Sequence, residues 1–332
     1  MRAAAVPPGT VPVVEIGGTH VSAFVVDVDN RRVLRGRGES TRVLSGTGDG
    51  NLVQAVLACA ASLRTHRNAH WGVALPGPFD YSTGRALWAG VGKFDTLHGL
   101  DLRRVLLEGL PDQVASVLFL NDAHAFVIGE WTAGVAVGRS RVVGLTLGTG
   151  IGSAFLDRGV IVDHGPGLPP EGRADLLVIS GRPLEDTISR RAILARYRAG
   201  TARASDDKNV DVEEICRRAR HGEASAGAVL TAAFTALGRA VSPSVNAFAT
   251  DVVVVGGSMS RSWDVLGPPL TRAMKSAFPE DEPFPAVVMA RDAEHAAAIG
   301  VATRVAAGLL ESLRPPGADP LPASGATGAL MM

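Results

Sequence analysis

Cysteine is almost missing from this chain of 332 residues: Cys59 and Cys216 are all it has. Two thiols cannot make a disulfide framework or a four-thiolate zinc site, and both fall in helix-like apolar patterns, so a reducing cytoplasm is the expected compartment. Neither sign of charge is in excess, with 33 Lys plus Arg against 33 Asp plus Glu. That balance offers no basic face for nucleic acid or an acidic membrane, and small molecules are the expected partners. No run approaches the roughly 18 uninterrupted apolar residues of a membrane-spanning helix. Pro7 and Pro8 interrupt the N-terminal stretch before a secretory signal can form. Two nucleotide-binding signatures are missing as well. There is no G-x-x-x-x-G-K-[ST], and no G-x-G-x-x-G follows the first strand with an acidic residue beyond it, which disfavours the P-loop and Rossmann folds.

What the chain does have is apolar material, 46% of its residues, enough for two lobes that each bury a core. Strand patterns at 11–16, 21–28 and 32–37 form a meander around a glycine turn. A helix over 52–63 follows, then a strand at 71–75 closed by Pro76-Gly77-Pro78, a strand at 117–120 and a helix over 123–133. From 142 the order repeats, with strands at 142–147, 153–156 and 160–162 around a second glycine turn. Helices are predicted over 184–198 and from 224 to about 241, with a polar loop at 201–211 between them. An all-valine strand at 252–255 runs into Gly256-Gly257, and a last helix over 294–310 is expected to pack back across the first lobe. This alternation implies an α/β class with mixed sheets. The expected lobes are a small one, 11–121 with 294–312, and a large one, 122–293; residues 1–10 and 315–332 read as flexible tails.

Three glycine turns each follow a strand: EIGGTH at 15–20, TLGTGIGS at 146–153 and VVGGSM at 254–259. Glycine lets backbone amides approach a ligand closely, and the hydroxyls of Thr19 and Thr149 can donate to phosphate oxygens. Any one such turn is more simply a structural strand turn. Three in this order, with Asn121-Asp122 between the first two, suggest a nucleotide cleft. With the P-loop and Rossmann readings set aside, paired glycine hairpins remain as the actin-like way to hold ATP, two lobes clamping its phosphates.

These motifs resemble the ROK family of sugar kinases and related repressors over roughly residues 11–312. EIGGTH resembles the family's first phosphate loop, GVALPGPFDYSTGRAL at 72–87 its substrate-side turn, and LNDAHAFVIGEW at 120–131 its Asn-Asp helix start. LTLGTGIGSAFLDRG at 145–159 resembles the second phosphate loop, RPLEDTISRRAI at 182–193 the segment after the zinc site, and VVVVGGSMS at 252–260 the adenosine loop. The resemblance implies a two-lobed actin-like (ribonuclease H-like) ATPase fold and transfer of phosphate from ATP to a sugar hydroxyl. It implies Asp122 as catalytic base, since a carboxylate that takes the hydroxyl proton both orients and activates a weak nucleophile. The competing reading of Asp122 is a plain helix cap. Asn121, Pro76, Gly77, Glu171 and Glu185 become acceptor-binding residues. Gly17, Gly18, Thr19, His20, Gly148, Thr149, Gly150, Gly152, Gly256, Gly257 and Ser258 become residues of the ATP and phosphate loops. Glu15, before the first turn, fits a group acting on Mg²⁺ through water, where the family usually has Asp. A homodimer is what the resemblance suggests.

Two departures bear on cofactor and substrate. The family's zinc site uses a His and a cysteine cluster, whereas EGRADLLVISGRPLEDT at 171–187 holds neither residue type, so no zinc is expected; His164 nearby has no partner ligands. In the family's Glu-x-Gly-His sugar motif, Glu171 stands for the glutamate but Ala174 takes the place of the histidine. WAGVGKFDTLHGLDL at 88–102 likewise replaces an asparagine-containing segment. The reacting end of the sugar site is kept and the anomeric end altered, which suits a C7 cyclitol bearing a hydroxymethyl group; an ordinary hexose is the alternative. The rival from another class is a non-catalytic, sugar-binding regulatory protein that retains the fold.

Overall fold

The computed structural model describes residues 9–18, 20–34, 39–42, 50–63, 65–89, 97–200 and 210–312. Backbone packing divides the chain into two units, Met1–Val137 with Glu294–Met332, and Gly138–Ala293.

In the first unit, the β-branched run of β1 (Thr10–Ile16) pairs antiparallel with β2 (His20–Asp27), and the Gly17 N–H donates to the His20 carbonyl at 2.8 Å to close the turn. β3 (Arg32–Val33) and β4 (Glu39–Arg42) extend the outer side of β2. Beyond α1 (Gly50–Ser62), β5 (Ala69–Leu75) lies parallel to β1. A small hairpin, β6 (Phe79–Asp80) and β7 (Arg85–Ala86), precedes α2 (Leu102–Gly109), and β8 (Val114–Asn121) then adds parallel to β5. Strands that run parallel end at the same edge, and here Glu15 sits opposite Ala74 and Leu75 opposite Asn121. The first glycine turn, Pro76-Gly77-Pro78 and Asn121-Asp122 therefore all leave one carboxyl edge of one sheet.

Burial runs unbroken along β1 from Val11 to Val14 because helices cover both faces. Val14 and Ile16 join the core beneath α1 and α2, while Val11 and Val13 meet Ala125 of α3 (Asp122–Ala133) and Ala298, Val301 and Val305 of α9 (Ala296–Ser312). α3 and α9 touch backbone to backbone. A Cβ on Gly300 would stand 1.8 Å from the Ala125 carbonyl oxygen, and one on Gly129 1.8 Å from that of Ala296. This contact corrects the expected boundary at 121/122: α3 belongs to the unit that α9 completes, and the division falls after Val137.

The second unit repeats the plan. β9 (Arg141–Leu147) and β10 (Ile151–Asp157) form an antiparallel hairpin, β11 (Val160–Ile161) pairs with β10, and β14 (Val252–Gly256) lies parallel to β9. β15 (Ala286–Met289) closes an order, β11-β10-β9-β14-β15, that matches β3-β2-β1-β5-β8 of the first sheet. Between the halves of this sheet the chain forms a short hairpin, β12 (Val178–Ile179) with β13 (Arg182–Pro183), and helices α4 (Glu185–Ile188), α5 (Arg190–Gly200), α6 (Val212–Arg220) and α7 (Ala224–Ala247). α8 (Trp263–Ala277) precedes β15. The single helix expected over 184–198 is two, because Ser189 is extended at ψ 155° and its hydroxyl accepts the Ala192 N–H at 3.3 Å, capping α5. The helix expected to end near 241 continues through Pro243 to Ala247. By length and composition α7 could cross a membrane, but Leu230, Phe234, Leu237, Val241 and Val245 are buried in the core of this unit. The third strand stops at Val33; residues 35–37 of that prediction, most of the 201–211 loop, residues 1–8 of the first tail and all of the second lie outside the described residues, while Thr10, expected in the first tail, begins β1.

Candidate active site

At the carboxyl edge of the first sheet, Asn121 ends β8 and caps α3. Its Oδ1 accepts the N–H groups of Ala123 and His124 at 3.0 and 3.2 Å, and its Nδ2 donates to the Tyr81 hydroxyl at 3.1 Å. The cap expected of this dipeptide thus exists, but Asn121 provides it. Asp122 beside it is half-buried, and loss of water around its carboxyl raises its pKa, opposed by the Ala123 N–H that its Oδ1 accepts at 2.9 Å. A carboxylate whose pKa is raised is a better proton acceptor than a solvated one.

Glu15, at the end of β1, shares this edge. Desolvation pushes its pKa up to about 8, the nearby carboxyls of Asp122 and Glu294 add to the rise, and the Ala298 N–H at the start of α9 opposes it. Its Oε1 is out of reach of water with no hydrogen-bond partner among the described residues. A buried, unpartnered oxygen close to a second carboxyl is a donor set that a hard cation such as Mg²⁺ accepts. Pro76 and Gly77 follow β5 in the same corner, where the Trp88 Nε1–H donates to the Pro76 carbonyl at 3.2 Å and a side chain on Gly77 would approach the Tyr81 hydroxyl at 3.5 Å. Gly17, Gly18 and His20 form the turn beside Glu15; Thr19 lies outside the described residues.

In the second unit, the parallel register of Gly256 with Thr146 brings the other two glycine turns together. Gly148 N–H donates to the Gly150 carbonyl at 3.1 Å, Gly152 lies within β10 opposite Thr146, and Thr149 is exposed at the tip. Gly257 has φ +85°, and a Cβ there would meet the Leu147 carbonyl at 2.4 Å, so only glycine fits. The Ser258 hydroxyl lies 3.8 Å from where Gly148 would carry a Cβ. Sequence reasoning missed what flanks this turn. A pocket of about 330 Å³ is lined by Thr149 and by Arg190, Arg191, Leu194, Ala195 and Arg198 of α5. The signal was present as residues three and four apart on one helical face.

The residues assigned to the sugar motif also fall in this unit. Glu171 has φ 56° and an exposed carboxylate 3.4 Å from Arg173, which pairs more closely with Asp175 at 2.7 Å. Ala174 is buried, its N–H donated to the Ser153 hydroxyl at 2.7 Å. Glu185 packs over the second turn, its Oε1 2.2 Å from where a Cβ on Gly150 would stand, and burial followed by repulsion from Asp175 raises its pKa. Among the described residues no group of three or more His, Cys, Asp or Glu is arranged to hold a metal ion.

Residues 180–307 match the model of the ROK family. Glucokinase from Thermotoga maritima is 27% identical over 277 residues, covering 77% of this chain and 84% of that protein. A ROK family glucokinase from Streptomyces griseus, solved with glucose and AMPPNP, superposes with a TM-score of 0.73 at 21% identity, over 89% of this chain and 98% of that one. The ROK hexokinase from Thermus thermophilus does so with a TM-score of 0.65 at 24% identity, over 91% and 99%. The fold of this chain is thus the α/β, actin-like one with mixed sheets.

Proposed function

We propose that this protein is a soluble, cytoplasmic ATP-dependent kinase that phosphorylates the primary hydroxyl of a sugar or of a sugar-like C7 cyclitol. One observation carries the reading: a half-buried Asp122 with raised pKa stands next to an Asn121 whose amide is fixed at both ends, at the sheet edge shared with Glu15. Asp122 accepts the proton of the attacking hydroxyl, and Asn121 orients that end of the acceptor. Glu15 would hold Mg²⁺, with Asp122 and Glu294 nearby. The metal, when bound, neutralises phosphate charge. Thr149, Gly148 and Ser258 would take donor phosphates, with the arginine-lined pocket beside them. The glucokinase named for Thermotoga maritima supports a sugar acceptor.

The finer reading of the acceptor rests on Ala174. A buried methyl in place of a histidine supplies no donor to a ring-end hydroxyl, and a polar group left unpaired forfeits about 1–3 kcal/mol. Glucose should then be a poorer acceptor than a cyclitol bearing the same exocyclic CH₂OH. ADP release with Mg-ATP over hexoses, amino sugars and C7 cyclitols, followed by NMR of the product, tests this. A preference for glucose of about tenfold or more, or phosphate on a ring hydroxyl, would overturn the cyclitol assignment.

A further inference from the structure

We infer that Tyr81 is a positioning residue for the acceptor, its hydroxyl fixing which way the Asn121 amide faces. This rests on the kinase reading above and names a residue that reading does not use. The Asn121 oxygen is engaged by the Ala123 and His124 N–H groups, which fixes one end of the amide. Helix capping alone would leave the NH₂ free to swing about that anchored oxygen. The Tyr81 hydroxyl accepts one N–H at 3.1 Å and donates onward to the Leu75 carbonyl at 3.3 Å, so a single Asn121 N–H is left to point at a ligand.

Tyr81 is itself held in place. Its ring lies 5.3 Å from that of Phe79, which also contacts Trp88 and Phe119, and its hydroxyl stands beside Gly77. The phenol thus ties three places together: the end of β5, the Pro76-Gly77-Pro78 turn that follows it, and the end of β8, 40 residues away in sequence. All three leave the carboxyl edge that carries Asp122. A tyrosine that served packing alone would need its ring there but not its hydroxyl.

The test is a double-mutant cycle of Tyr81→Phe with Asn121→Ser, the serine keeping a helix-capping oxygen but lacking the amide N–H. Both acceptor binding by calorimetry and acceptor kcat/KM are read. Tyr81→Phe is expected to weaken acceptor binding and lower acceptor kcat/KM by about tenfold, as for one hydrogen bond. KM for ATP and Tm should stay unchanged, and the double variant should be no worse than Asn121→Ser alone. Effects that multiply in the double variant, a loss confined to ATP or to Tm, or a Tyr81→Phe protein within twofold of wild type would each overturn the assignment. Acceptor binding is measured without turnover, so a wild type that binds sugar but transfers no phosphate defeats the kinase reading and leaves the Tyr81 result standing by itself.

Discussion

Asp122 holds its carboxyl where water is scarce, and the amide geometry beside it is set by the helix it begins. Replacing it with Asn keeps the shape and removes the proposed base. Turnover of Asp122→Asn should fall by about 10²-fold or more, while nucleotide affinity, followed by calorimetry, stays at the wild-type value; activity within a few-fold of wild type would take Asp122 out of the mechanism. This residue was legible in the sequence because Asn-Asp at a strand-to-helix junction is a local pattern. Tyr81 was not. Its partner is 40 residues away, and the hydrogen bond exists only because β5 and β8 lie side by side. Arg173 was equally hidden, since its pairing with Glu171 and Asp175 depends on a tight turn with a residue at φ 56°.

Elements were legible in proportion to how local their causes are. The strands and the first long helices follow from apolar periodicity, and a serine at 189 that could cap a helix was readable in principle. α8 was not anticipated, because Pro268 and Pro269 lie within it and read as a break. The α3–α9 crossing also has no local signature, although its energetic demand is sharp. Gly300→Ala places a methyl against the Ala125 carbonyl, with backbone on both sides and no flexible side chain to yield, and should cost about 3 kcal/mol or more. Gly308→Ala on the same helix meets nothing within 4 Å and should be neutral or stabilising by up to about 1 kcal/mol. Urea unfolding of the two variants against wild type measures the contrast, and equal stabilities would show that the helices cross less closely.

At the scale of the molecule, the duplicated sheet was visible as repeated strand-turn-strand spacing, whereas the division after Val137 was not, because it depends on which helix α9 meets. A whole-molecule property follows from Glu15. Its carboxyl keeps a proton in the folded, metal-free protein up to about pH 8, while an unfolded glutamate releases it near its ordinary value of 4.5. The folded state therefore binds more protons across that window. The stabilisation is complete below the lower value, declines as pH rises and is gone above the higher one, with a slope of at most about 1.4 kcal/mol per pH unit. Denaturant midpoints of the metal-free protein should fall from pH 5.5 to pH 8 more steeply in wild type than in Glu15→Gln. Parallel pH profiles of the two proteins would place the Glu15 titration elsewhere.

The return of α9 also sets an order of events on the ribosome. Every residue of the second unit is synthesised before the helix that covers Val11, Val13 and Val26 and brings the Ala298 N–H to Glu15. β1 and β2 must keep an apolar face uncovered until the whole second unit has been made, a period in which such surfaces attract other chains. A nascent chain that stalls before Ala296 thus carries a second unit with all of its residues and a first unit whose Val11, Val13 and Val26 lack the helix that covers them.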